Sequence, residues 1–138
     1  MRKTFQHKIQ SSILVLLIYL SVYLVTKQFL SGVYLWEWMA RHAYVGTWLG
    51  AIGFIFCNQE KIAYSIAIGN VIGIGIGQFA GDWIRYQRML KITADMEAET
   101  RYHLQHHPGV ELWLLAMLVC VTGMILFQAI QGKKKTKR

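Results

Sequence analysis

One small residue returns at every fourth position between Ser65 and Gly81, in an otherwise apolar segment. Each glycine in a helix costs about 1 kcal/mol relative to alanine in water, so the segment is a poor soluble helix. In a bilayer the cost of unpaired backbone amides keeps such a segment helical, and the missing side chains form a groove for a neighbouring helix. The segment therefore predicts a membrane helix of the glycine-zipper kind, and its row consists of Ser65, Gly69, Gly73, Gly77 and Gly81.

Composition and charge also indicate a membrane protein. The 138 residues are 54% hydrophobic and carry a net charge of +8. The basic residues lie at the start of the chain, in one central loop and in the tail, beside apolar segments rather than within them. This placement is typical of membrane topology and of contact with anionic lipid, so we expect membrane lipid as a partner and no nucleic acid. Cys57 and Cys120 lack CxxC spacing and are expected to be small buried residues.

Four apolar segments are long enough, or nearly so, to cross a bilayer, which takes about 20 residues. A signal peptide is the alternative for the first segment, but no small-residue cleavage pattern closes it. The predicted fold is an all-α integral membrane protein, a four-transmembrane-helix bundle with a short polar loop helix between spans three and four. The chain is expected to form a single membrane domain with spans at about 12–30, 39–57, 62–84 and 110–130, a polar loop at 85–109 and a basic, unstructured tail at 132–138.

The second span is the predicted partner of the glycine row. Its own small residues recur at similar intervals, and only about four residues connect it to the third span, so the two must be antiparallel neighbours. The rest of the row is left for the fourth span or for another copy of the protein. Asn70 and Gln78 lie within the third span and need hydrogen-bond partners there. The packing residues predicted for span two are Gly46, Gly50 and Gly53.

Four spans place both termini on one side of the membrane. That side carries nine Lys and Arg residues, whereas the opposite side carries six. The positive-inside rule then places both termini in the cytoplasm and the protein in the cytoplasmic membrane. The long loop is itself basic, and if it is cytoplasmic instead, the turn at 58–61 faces outward.

Most ionisable residues outside the tails gather at one membrane face once the chain is threaded in this way. Such residues are costly where they enter the apolar zone, so a functional cluster is one interpretation, with Asp82 paired to Arg41 or Arg85 and Glu111 paired to His42 or His107. The alternative is a set of interfacial charges that pair weakly in water. The candidate cluster comprises Glu37, Arg41, His42, Asp82, Arg85, His103, His106, His107 and Glu111.

The histidines of the polar loop raise the question of a metal ion. On a helix, Glu99, His103 and either His106 or His107 lie on neighbouring rows, and imidazoles four residues apart can share zinc. The spacing lacks the glutamate of an HExxH pattern and any cysteine ligand, so no cofactor is predicted, and a metal ion at Glu99, His103 and His107 remains the alternative. Other interpretations are pH sensing by the histidines and a plain loop helix with histidines near its C-terminus.

The leading functional hypothesis is a non-enzymatic polytopic membrane subunit, assembled through the row from Gly69 to Gly81. It would be an oligomeric small transporter or channel, or an accessory subunit of a larger membrane complex, so the expected partner is a second copy or a larger membrane protein. The alternative is a membrane-embedded enzyme acting on a lipid or lipid-linked substrate at the cluster of His, Glu and Asp. The sequence specifies no catalytic residue, and a third hypothesis is a conduction path along Asn70 and Gln78.

Overall fold

A computed structural model gives the fold, and it describes residues 2–136, with side chains described from Phe5 to Gly132. No strand occurs between residues 2 and 136, so the all-helical prediction is confirmed over that range. Six helices follow one another along the chain: α1 Arg2–Phe29, α2 Tyr34–Arg41, α3 Val45–Phe56, α4 Glu60–Met89, α5 Ala98–Gln105 and α6 Gly109–Thr136.

Three of these helices are long and apolar enough to cross a membrane. The stretches that qualify are Phe5–Phe29 in α1, Glu60–Met89 in α4 and Gly109–Gly132 in α6. They coincide with the first, third and fourth predicted spans, and their length and composition indicate membrane association. Only α4 is largely buried by the other helices, whereas α6 exposes most of its apolar side chains.

The prediction of one continuous helix for span two is wrong. Residues 39–57 are divided between the end of α2 and the 12-residue α3, which is about 18 Å long. Ala43 and Tyr44 separate the two helices with φ angles of 48° and 55°, a left-handed conformation that costs a non-glycine residue about 1–2 kcal/mol. The Tyr44 side chain is buried, and its hydroxyl forms a hydrogen bond of 3.1 Å with Thr26 Oγ1, which stabilises this conformation. Residues 34–38, which lie before the predicted second span, are helical in α2.

α1 and α4 begin at the same end of the bundle, which we call the N-terminal end. Lys8 donates to the carbonyl oxygen of Phe56 over 2.9 Å, and the His7 ring lies 3.1 Å from the Glu60 carboxylate. The other end, where α2 and α6 begin, is called the cap end. Because α1 runs towards the cap end and α4 starts again at the N-terminal end, α2 and α3 return the chain between them.

α4 packs most extensively against α6, along the row of small residues. Positions that lie progressively further along α4 contact positions progressively earlier in α6, so the two helices are antiparallel. A methyl group built at Gly77 would lie 2.5 Å from the carbonyl oxygen of Gly109, and one at Gly73 would lie 3.2 Å from that of Trp113. Ser65 adds a hydrogen bond of 3.0 Å to the Cys120 carbonyl oxygen. The absence of side chains on α4 thus allows close contact with the α6 backbone.

α3 packs against α4, as predicted for spans two and three, but the predicted contact of the span-two glycines with the glycine row is wrong. A side chain added at Gly46, Gly50 or Gly53 would meet nothing within 4 Å, because these glycines lie on the exposed side of α3. α3 buries the opposite side, with Thr47, Ala51 and Ile55. We call the exposed glycine side the open face of α3. Cys57, expected to be buried, is also exposed, and Cys120 is half-buried.

The polar regions differ from prediction mainly in where helices end. α4 continues to Met89, so the first residues of the predicted 85–109 loop are helical. α5 is the short loop helix, but it ends at Gln105, so His106 and His107 lie beyond its last turn. α6 extends through Thr136, which makes the tail helical as far as that residue rather than unstructured. Residues 137 and 138 lie outside the described part of the chain.

Candidate functional site

Six members of the predicted polar cluster form three pairs. Asp82 Oδ1 lies 3.0 Å from His107 Nε2, and two exposed pairs are formed by the other four side chains. These are not the partners predicted for Asp82 or Glu111. The reason is that α6 begins directly beside Gly81, which brings the His107 ring to the carboxylate one residue further along α4. The two exposed pairs are Glu37 with Arg41 at 2.6 Å and His106 with Glu111 at 2.8 Å.

A series of hydrogen bonds surrounds Asp82, whose own side chain is 55% exposed. The amide of Leu35 donates to Gln78 Oε1 over 2.7 Å, and Gln78 Nε2 donates to Asp82 Oδ2 over 2.6 Å. The amide of Gly109 donates to His107 Nδ1 over 3.0 Å. Because Nδ1 accepts this bond, the ring proton of a neutral His107 resides on Nε2 and is donated to Asp82 Oδ1. These hydrogen bonds link α2, α4 and the start of α6, and we call the residues that form them the cap network.

His107 fits into the cap network because two of its neighbours lack side chains. A methyl group at Gly81 would lie 2.5 Å from His107 Cε1, and one at Gly109 would lie 2.7 Å from Nδ1. The ring of Tyr34 covers it at a centroid distance of 4.6 Å, and the His107 side chain is only 5% exposed. Gly81, the last glycine of the row, therefore leaves room for the His107 ring as well as for the α6 backbone.

The cap network determines what His107 can do chemically. Both ring nitrogens already hold hydrogen bonds, one to a carboxylate and one to a backbone amide. Binding a metal ion or taking a proton at Nδ1 would break the bond from Gly109, since a metal-bound or protonated nitrogen accepts no hydrogen bond. In this arrangement His107 connects α4 to the start of α6.

Glu37 and Arg41 are the members of the cluster that lie on α2 and pair there. Both Nε and Nη2 of Arg41 donate to Glu37 Oε1, at 3.2 and 2.6 Å. The two residues are four apart on one helix, a spacing at which opposite charges pair. This pair is therefore a fixed carboxylate beside a fixed guanidinium.

The remaining members of the predicted cluster and the metal candidates are not brought into this network. His42 Nδ1 lies 2.8 Å from the Trp38 carbonyl oxygen, and Arg85 lies on α4 outside all three pairs. Glu99 and His103 lie on α5, whereas His107 is bonded to Asp82. Between Phe5 and Gly132 no group of three or more His, Cys, Asp or Glu side chains is placed to hold a metal ion.

Of the two polar residues predicted within span three, Gln78 has partners for both side-chain polar atoms, whereas Asn70 has one for its oxygen and a buried Nδ2 without one. Asn70 is fully buried and accepts a hydrogen bond from Trp113 Nε1 over 3.1 Å, and Gln78 belongs to the cap network. Sequence reasoning missed Trp113 and Leu35 as those partners. The spacing of Gln78 and Asp82, four residues apart on one helix, was the available signal for their bond.

Comparison of the chain with protein-family models, with curated proteins and with solved structures finds no match.

Proposed function

We propose that this chain is a non-enzymatic membrane subunit with four crossings, which acts by assembling with a second copy or with a larger membrane protein. The second crossing is made by α2 and α3 in succession. Two observations support it: α1 and α4 begin at the same end of the bundle, and α2 and α3 are the segments that return the chain between them. With α6 antiparallel to α4, both termini then lie on one side.

The open face of α3 is the observation that carries the assembly proposal. Gly46 and Gly50 are four residues apart, Gly53 follows on the same side, and none of the three has a neighbour within 4 Å. Small residues at this spacing allow two helix backbones to approach closely in a membrane. The Gly69–Gly81 row is filled by α6 of the same chain, so we assign the assembly contact to α3 instead.

The interior packing favours a subunit over an independent channel or an interfacial enzyme. Asn70 lies in the close contact of α4 with α6 and is bonded to Trp113, which does not suit a conduction path along this helix. His107, the most buried histidine of the cluster, is engaged at both nitrogens, which does not suit a general base.

Native mass spectrometry of the gently solubilised protein from its own membrane tests the proposal. The expected result is a defined homo-oligomer or a complex with a larger membrane protein. Gly50→Leu should abolish that assembly, because the added side chain covers the open face without touching the rest of its own chain. Gly75→Leu is the matched control, since Gly75 also has no neighbour within 4 Å but lies on α4.

Two outcomes would contradict the proposal. A monomer without any partner, purified under conditions that preserve other complexes of the same membrane, would remove assembly altogether. Retention of the wild-type mass by Gly50→Leu, or equal loss in both variants, would remove α3 as the contact. Exposed Cys57, near the end of the same helix, offers an independent check, because oxidative cross-linking through it reports two copies joined near α3.

A further inference from the structure

A groove of about 140 Å³ opens on α2 between Tyr34, Glu37, Trp38 and Arg41. These residues are three or four positions apart, so they share one side of the helix. The opposite side is buried against the bundle through Leu35, Met39 and Ala40. α2 therefore presents two aromatic rings, one carboxylate and one guanidinium to its surroundings.

α2 descends from the cap end into the apolar part of the bundle. The Tyr34 ring lies against His107, beside Gly81. The Leu35 side chain lies so close to Gly77 that a methyl group built there would clash with it. One turn later, the Trp38 ring lies 6.5 Å from that of Trp113. Glu37 and Arg41 lie on this helix, and charged side chains that enter hydrocarbon need polar partners because they are costly there.

The groove contains one positive and one negative group at a fixed separation. Arg41 uses two of its five N–H donors on Glu37 and its side chain is 70% exposed, so donors remain for a second acceptor. The Glu37 carboxylate lies 2.6 Å from the Arg41 guanidinium, so the two groups form an ion pair. The complement of this arrangement is a ligand that itself carries an anion and a cation close together.

We propose that the groove binds the headgroup of a zwitterionic phospholipid, with the phosphate on Arg41 and the ammonium group on Glu37 beside the rings of Tyr34 and Trp38. Guanidinium groups bind phosphate oxygens through paired N–H donors, and ammonium groups are attracted to aromatic faces. The acyl chains would then lie along the exposed apolar side chains of the neighbouring helices. This proposal depends on α2 and not on the assembly contact of α3.

An anionic phospholipid is the main competing ligand, and Glu37 discriminates against it. Without the Glu37 carboxylate, the Arg41 guanidinium would favour a net negative headgroup. With it, the ammonium group of a zwitterionic lipid gains an attraction that an uncharged glycerol headgroup lacks.

Lipid competition on the full chain tests the proposal. The protein is placed in nanodiscs containing equal amounts of phosphatidylethanolamine and phosphatidylglycerol, and the lipids retained after release are counted by native mass spectrometry. We expect retention of phosphatidylethanolamine over phosphatidylglycerol by roughly fivefold or more. Glu37→Gln should abolish this preference, and Arg41→Gln should abolish retention of both lipids. Asp95→Asn, which removes an exposed carboxylate outside the groove, should retain the wild-type preference.

A change in the lipid provides a test that leaves the protein intact. Phosphatidylethanolamine with an acetylated amine has lost its positive charge and should be retained no better than phosphatidylglycerol. Preferred retention of phosphatidylglycerol by the wild-type chain, or an unchanged ratio in Glu37→Gln, would overturn the proposal. Displacement of the lipid by an equal concentration of free phosphoethanolamine would identify a soluble phosphate ester as the ligand and would also overturn it.

Discussion

Trp113 donates its indole N–H to the side-chain oxygen of Asn70 over 3.1 Å, across the contact between α4 and α6. Asn70 is fully buried and follows Gly69, whose nearest neighbour on α6 is Cys120. A polar side chain in the apolar zone thus forms a bond between two helices rather than within one.

The energy of this bond can be measured with a double-mutant cycle. We expect Trp113→Phe to lower the free energy of unfolding more in the wild-type chain than in Asn70→Leu, because only the former leaves a buried oxygen without its donor. The difference should be about 0.5–2 kcal/mol, the range for hydrogen bonds between membrane helices. Denaturant unfolding of the four proteins in one detergent measures it, and equal effects of Trp113→Phe in both backgrounds would contradict the bond.

The close contact of α4 with α6 predicts opposite behaviour for two glycines of the same helix. Gly77→Ala places a methyl group against the Gly109 carbonyl oxygen, so we expect a loss of about 1–3 kcal/mol in the free energy of unfolding. Gly75→Ala meets nothing within 4 Å and should leave stability unchanged or slightly higher. Thermal unfolding in detergent distinguishes the two, and equal midpoints would show that α6 does not lie against this row.

The cap network predicts a strong effect of a nearly isosteric change at Asp82. Asp82→Asn replaces one accepting oxygen by a donating nitrogen, whereas both Gln78 and His107 donate to this side chain. Gln78 cannot reverse its amide without losing the bond from the Leu35 amide. Because the Asp82 side chain is 55% exposed and water can replace part of the lost bonding, we expect the free energy of unfolding to fall by about 0.5–1.5 kcal/mol.

Asp95→Asn is the matched control for Asp82→Asn, since Asp95 lies exposed in the loop after α4. It should leave the unfolding midpoint at the wild-type value. If the two substitutions had the same effect, the hydrogen bonds to Asp82 would contribute nothing measurable.

The expected orientation can be tested at Cys57, which is exposed at the N-terminal end of the bundle. With both termini in the cytoplasm, a membrane-impermeant maleimide should modify Cys57 in inverted vesicles but not in intact cells. The experiment uses Cys120→Ala, so that Cys57 is the single thiol. Labelling in intact cells would reverse the orientation derived from the positive-inside rule.

Hydropathy and helix length predicted α1, α4 and α6 well, because a long apolar helix depends mainly on local sequence. The break at Ala43 and Tyr44 could not be predicted in this way. Tyr44 contacts Thr26, a residue of another helix, and neither Ala43 nor Tyr44 is the glycine, asparagine or aspartate that usually marks a left-handed turn.

The glycines of span two were predicted to contact the glycine row of α4, and this prediction failed because it too depended on contacts between distant residues. Small residues at four-residue spacing occur on both α3 and α4, and spacing alone does not say which side of α3 faces the bundle. The cap network was predicted as a region but not in its pairs. α6 starts at Gly109, one residue before the predicted start of span four, but the contact of His107 with Gly81 joins residues that are distant in sequence.

The shortness of α3 has a consequence for how the protein is made. With 12 residues it falls below the roughly 20 that the insertion machinery needs to recognise an independent span. If the segment between α1 and α4 makes the second crossing, as proposed, it would therefore enter the bilayer late, once α4 is present to pair with its buried side. Until that segment has crossed, no crossing separates α1 from α4, so α4 would insert in the direction opposite to its final one. We therefore expect the newly made chain to invert α4 later or to delay its integration.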